Sequence, residues 1–69
     1  MKFSARNQIK GIVKSINNGA VNTEVVIEVA PGVEIASIIT KSSAETLQLS
    51  VGKEAYAFIK ASNVMVAID

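Results

Sequence analysis

Nine Val and nine Ile, against two Leu, make β-branched aliphatic side chains about a quarter of the 69 residues. Such side chains lose χ1 freedom in a helix and pack well on a pleated surface, so the chain is constrained toward strands. Their placement agrees. From Ala20 to Val29, Val21, Thr23, Val25, Ile27 and Val29 share one face, with Asn22, Glu24, Val26 and Glu28 on the other. That is the alternation of a half-buried strand. A segment from about Gln8 to Ile16 carries apolar residues on both faces, and Gly11 within it marks a bend or bulge. Asn17-Asn18-Gly19 between the two signals a turn, because Asn and Gly tolerate positive φ. Ala30-Pro31-Gly32 turns the chain again, with Pro presetting φ and Gly supplying the left-handed position. A third strand follows from Val33 to about Thr40.

Ser42-Ser43-Ala44-Glu45 reads as a capping box with Ser42 as N-cap. It opens the one short helix, two turns at most, with Leu47 and Leu49 facing the core. A fourth strand runs from Glu54 to Lys60. After the polar connection Lys60-Ala61-Ser62-Asn63, a fifth and largely buried strand runs from Val64 to Ile68. The order predicts an all-β chain, residues 1–69 forming a single domain. Its expected form is a small five-stranded OB-like Greek-key barrel with one short helix between strands three and four. An SH3-like barrel is the main alternative. Either barrel removes the exposed edges that make a Val/Ile-rich chain prone to association.

A domain of this size buries only about 60% of its unfolded-chain surface and normally needs a disulfide, a metal or a partner. The chain has no Cys and no His. A homo-oligomer is therefore expected, with subunit surfaces serving as additional core. The same absences remove thiolate and imidazole chemistry and most transition-metal sites, so no metal cation is expected. No P-loop, dinucleotide fingerprint or Asp-rich cation loop is present. The six acidic residues show no pairing suited to acid–base work, and the expectation is that the chain is not an enzyme. Met1-Lys2-Phe3-Ser4 has no apolar leader and no run approaches a membrane span, so a soluble, cytoplasmic protein without a membrane partner is expected.

Seven basic residues against six acidic give a net charge of +1, which argues against a general nucleic-acid binder. Tyr56 and Phe58 on one strand and Lys10 and Lys14 on another keep a single-stranded nucleic-acid-binding module as the alternative reading. Otherwise the donors gather in three polar segments: Ser4-Ala5-Arg6-Asn7, Thr40-Lys41-Ser42-Ser43 and Lys60-Ala61-Ser62-Asn63. Each joins hydroxyls and a cation to small residues, which let backbone N–H groups approach a ligand. The second sits at a helix N-terminus, where unpaired N–H groups favour anions. On the residues alone, a helix cap with two solvated loops is the preferred reading of the three segments, and an anion site the second.

Ser4-Ala5-Arg6-Asn7-Gln8 with Gly11-Ile12-Val13, then Gly19-Ala20-Val21-Asn22, Ala36-Ser37-Ile38-Ile39-Thr40, Gly52-Lys53-Glu54 and Ile59-Lys60-Ala61-Ser62, resembles the Mop domain of the molbindins. The resemblance runs from about Phe3 to Ile68. It implies an oxyanion-binding protein that assembles as a homohexamer, a trimer of dimers, and takes molybdate or tungstate as ligand at subunit interfaces, with no cofactor. By match of motif, Ser4 and Arg6 supply hydroxyl and guanidinium donors, with the backbone N–H groups of Ala5 and Asn7 nearby. Thr40 and Ser43 come from a neighbouring subunit, and Lys60 with the Ala61 and Ser62 backbone closes the cage. A second class of site is expected near Gly19, Ala20 and Val21. The domain also occurs in molybdate-responsive regulators and transporter ATPases. No helix-turn-helix or ATPase motif lies in these residues, so storage, buffering or homeostasis of the oxyanion is the expected role.

The chemistry suits such a ligand. Molybdate is a tetrahedral dianion that only accepts hydrogen bonds near neutral pH. A cage of N–H, O–H, guanidinium and ammonium donors matches it without any acceptor.

Overall fold

The computed structural model describes residues 5–69 and contains four strands, β1 (Asn7–Asn18), β2 (Asn22–Ala30), β3 (Val33–Thr40) and β4 (Glu54–Ile59). A six-residue helix, α1 (Lys41–Thr46), lies between β3 and β4, and a 3-10 turn covers Ala61–Asn63. All ladders are antiparallel, in the sheet order β3-β2-β1-β4. The first three strands form a meander, and β4 returns to the free edge of β1. The sheet curls into a half-barrel.

The alternation read from β2 is realised: Thr23, Val25 and Ile27 are buried, and with Val13 of β1 and Ala57 of β4 they make the centre of the core. Thr23 is buried without penalty because its hydroxyl donates to Asn18 Oδ1 at 3.0 Å. Gly11 is buried between both neighbours of β1. A Cβ there would lie 2.6 Å from the Glu28 carbonyl oxygen and 2.6 Å from Ile27 Cγ2. It gives the close approach of β1 to β2, and the expected bulge is not at this residue. The irregularity in the β1–β2 ladder falls between Val13 and Ser15 instead.

Pro31-Gly32 makes the two-residue β2–β3 turn with Gly32 at φ +76°, as its sequence requires. The β1–β2 turn differs from expectation. Asn17 and Asn18 remain in β1, and Gly19–Val21 form the connection, closed by the Gly19 N–H donating to the Asn22 carbonyl at 2.8 Å. Three residues span the turn without any positive φ.

Two further expectations are corrected. The N-cap of α1 is Thr40, whose hydroxyl accepts from the Ser43 N–H at 3.1 Å, and not Ser42. β3 stays paired through Thr40 opposite Asn22, so the helix starts at the next residue and the cap falls on the last residue of the strand. Leu47, expected in the core, is exposed; only Leu49 packs against it. The fifth strand is absent among the described residues. Val64–Ile68 makes no ladder, and Met65, Val66 and Ile68 are 95%, 90% and 94% exposed.

On the outer face Glu28 stands directly opposite Glu34, a like-charge pair that would destabilise the ladder. The Lys14 ammonium offsets it, hydrogen-bonding Glu34 and lying 3.5 Å from Glu28. One cation thus ties three adjacent strands. Its pKa is raised, first by the hydrogen bond to Glu34, then by the charges of Glu34 and Glu28. A raised pKa contributes stability that is present below the unfolded lysine value and lost as pH rises through the folded one. The melting-temperature gap between wild type and Lys14→Met should therefore hold at neutral pH and close under alkaline conditions above the ordinary lysine range. Melts at stepped pH check this.

Candidate functional site

The β1–β4 ladder decides where the first and third polar segments meet. Asn7 pairs with Ile59 at the end of that ladder, and the Asn7 side chain donates from Nδ2 to the Ile59 carbonyl at 3.1 Å. Arg6 and Lys60 are the next residues beyond this pair, just outside the adjoining ends of β1 and β4. Both are exposed, and among the described residues neither is ion-paired. Ala61 and Ser62 follow in the 3-10 turn, held by the Asn63 N–H donating to the Lys60 carbonyl at 2.8 Å. Ala5, Arg6, Asn7, Lys60, Ala61 and Ser62 therefore lie at one end of the sheet. Ser4 lies outside the described residues. Two cations, neither ion-paired to a carboxylate among the described residues, with adjacent small residues form a donor-rich corner suited to an anion. The Asn7 side-chain amide is spent on the clamp to Ile59, and it is the Asn7 backbone N–H, not this side chain, that the family resemblance assigns to the site.

The second segment lies elsewhere. β1 is twelve residues long, so its two ends are separated by roughly 36 Å of strand at about 3.3 Å per residue. Thr40 pairs with Asn22, at the Asn18 end of β1, and the Lys41 N–H donates to the Val21 carbonyl at 2.8 Å. Thr40, Ser43 and the exposed Gly19, Ala20 and Val21 thus form a second group, remote from Arg6 and Lys60. One chain does not converge all three segments. The helix-end reading also narrows: the Lys41 and Ser43 N–H groups are taken by Val21 and Thr40, and the Thr40 hydroxyl donates to Ser43 Oγ at 2.7 Å. What this group presents outward is hydroxyl and the Lys41 ammonium.

The surface that carried the nucleic-acid alternative is differently occupied. Tyr56 and Phe58 contact each other edge to face, centroids 6.4 Å apart. Lys10 pairs with Glu54 at 3.3 Å and Lys14 with Glu28 and Glu34. A backbone-tracking groove needs cations free to meet phosphates, and these two are neutralised. Among the described residues no group of three or more His, Cys, Asp or Glu could hold a metal ion. No helix of the described residues is long and apolar enough to cross a membrane.

Residues 4–66 match the TOBE domain family. The chain belongs to that family. Within it, this TOBE domain is similar over its whole length, at 51% identity, to a probable molybdenum-pterin-binding protein of Haemophilus influenzae, and spans all of that protein. Among solved structures it is similar to a molybdate-binding protein from Sporomusa ovata, with a TM-score of 0.91 and 34% identity, covering 99% of this chain and 100% of that one. It is also similar to the cytoplasmic molybdate-binding protein ModG, crystallised with molybdate bound, with a TM-score of 0.89 and 48% identity. That match covers 94% of this chain and 46% of ModG. The resemblance to the Mop domain of the molbindins and the OB-like fold class both hold, with four strands in place of five.

Proposed function

We propose that this TOBE domain binds molybdate or tungstate, as the Sporomusa ovata protein and ModG bind molybdate, and that it does so without catalysis, as an oligomer that stores or buffers the oxyanion in the cytoplasm. The observation that carries the reading is the Asn7–Ile59 pair, from which Arg6 and Lys60-Ala61-Ser62 extend side by side at an exposed corner. In the proposed cage Ser4, Ala5, Arg6, Asn7, Lys60, Ala61 and Ser62 come from one copy and Thr40 and Ser43 from another. The assembly is a hexamer built as a trimer of dimers. Gly19, Ala20 and Val21 border a second class of site.

The magnitudes fit. A micromolar dissociation constant corresponds to about 8 kcal/mol, and hydrogen bonds to a charged group contribute about 1.5–3 kcal/mol each. Four to six donors suffice before ordering costs, and the corner with one neighbouring segment supplies that many. Sulfate carries the same charge on a smaller tetrahedron, so discrimination against it rests on cage size.

Titration calorimetry with molybdate, sulfate and a single-stranded oligonucleotide in parallel tests the reading. Heat with molybdate well above that with sulfate is expected, together with a melting temperature that rises with molybdate concentration. Heat with the oligonucleotide alone, weakening steeply with salt, would replace this reading by the nucleic-acid one. A melting temperature indifferent to every ligand would leave a purely structural oligomer.

A further inference from the structure

We propose that Asn18 is a site of spontaneous modification, its side-chain amide converted to a carboxylate by cyclisation with Gly19 whenever the β1–β2 turn opens. Asn is a chemically labile residue. Of Asn7, Asn17, Asn18, Asn22 and Asn63, Asn18 alone precedes a glycine. Without a Cβ the glycine nitrogen is open to approach, and its backbone freedom lets the chain reach the cyclic geometry. In that step the Gly19 nitrogen attacks Asn18 Cγ as it loses its proton. An N–Cγ bond forms, the Cγ–Nδ2 bond breaks, and the lost proton leaves on ammonia. Water then opens the cyclic imide, giving aspartate or its isomer linked through the side chain.

The fold both requires this labile pair and restrains it. A Cβ at Gly19 would lie 2.8 Å from the Asn22 carbonyl oxygen, so the turn excludes a larger residue there. Three contacts then hold the pair away from the cyclic geometry. Asn18 is the last residue of β1 and pairs with Thr23 in the ladder, which keeps its backbone extended. Its Oδ1 accepts the Thr23 hydroxyl at 3.0 Å, and the Gly19 N–H donates to the Asn22 carbonyl at 2.8 Å. Thr23 is fully buried, so this clamp is anchored in the core. Asn18 and Gly19 are themselves exposed, at the end of a ladder, where local opening costs least. The reaction therefore waits on opening of one turn, not on unfolding of the domain.

The aspartate product fits the fold, because a carboxylate at residue 18 accepts the Thr23 hydroxyl as the amide does. What changes is charge. Asn18 lines a cleft of about 320 Å³ together with Lys41, Glu45 and Gln48. Lys41 and Glu45 bring one charge of each sign to it, and a carboxylate at residue 18 makes it net negative. The consequence for binding rests on the proposed function. Lys41 is the cation of the group formed by Thr40, Ser43 and Gly19–Val21, so the acid form holds an anion there less well. Modification of Asn18 is thus a slow, one-way loss of anion affinity.

Incubation of the ligand-free protein at neutral pH, folded and in urea, followed by peptide mapping in a mass spectrometer, tests the modification. Folded wild type should gain acid at residue 18 and at no other Asn, more slowly than the unfolded chain. Thr23→Val, which removes the hydroxyl clamp, should raise the folded rate about fivefold, the factor for one hydrogen bond of about 1 kcal/mol. Acid spread over several Asn, none at residue 18 once the unfolded chain has converted, equal folded and unfolded rates, or no acceleration in a folded Thr23→Val would each overturn the proposal. The folded-to-unfolded comparison decides it even if Thr23→Val does not fold. Asn18→Asp stands in for the product. It should melt as wild type does and bind molybdate about two- to fivefold more weakly, the range of exposed charge interactions. Equal affinity would overturn the consequence assigned to the cleft. If wild type binds no molybdate, the function reading falls and the modification stands.

Discussion

Arg6→Ala and Lys60→Ala should each weaken molybdate binding by about 10- to 150-fold, the span that corresponds to losing one charge-assisted hydrogen bond of about 1.5–3 kcal/mol. Both side chains are exposed and, among the described residues, neither pairs with a carboxylate. The fold therefore has little to lose, and the thermal melt without ligand should match wild type. The two changes should couple when combined, because one dianion is shared between two neighbouring cations and removal of one alters what the other can hold. Titration calorimetry on the single and double variants reads both effects. Wild-type affinity in both single variants would show that the Asn7–Ile59 corner is not where the anion sits.

The largest expected effect on stability comes from the smallest change, Gly11→Ala. The added methyl would stand 2.6 Å from a backbone carbonyl oxygen of β2 and 2.6 Å from the Ile27 side chain. Neither can withdraw, since Ile27 belongs to the core and Glu28 is fixed in its ladder. Overpacking of this kind costs about 2–3 kcal/mol. In a domain of this size each kcal/mol moves the melting temperature by about 4–8 °C, so a fall of about 10–20 °C is expected in a scanning melt. A loss of only a degree or two would mean that β1 and β2 can part more readily than their ladder indicates.

How far the sequence carried the fold can be judged from particular elements. β2 and β3 were legible because alternation there coincides with one buried face, and Pro31-Gly32 states its own turn. The cap of α1 was misread. Ser42 and Thr40 are both competent caps by type, and only the pairing of Thr40 with Asn22 decides between them. Gly11 is needed for space against β2, and a glycine needed for space and one needed for a bend look alike in one dimension. Val64–Ile68 was read as a buried strand from its composition. That composition is right for a strand, but composition does not supply an edge to pair with, and among the described residues none pairs with it. The donor segments were legible as types. The meeting of Arg6 with Lys60 depends on a pairing across 52 residues of chain, and the separation of Thr40 from both depends on the length of β1.

The order in which the chain is synthesised meets this topology unevenly. β1, β2 and β3 join through connections of three and two residues, so the meander can zip as it emerges from the ribosome. The other edge of β1, from Asn7 to Ile12, stays bare until Glu54–Ile59 arrive to cover it. During that interval a nascent chain presents an unpaired template to its neighbours on the same message. Lys10, midway along that edge, is the kind of charged gatekeeper that discourages such mispairing, and its later partner Glu54 is the first residue of the strand that relieves it.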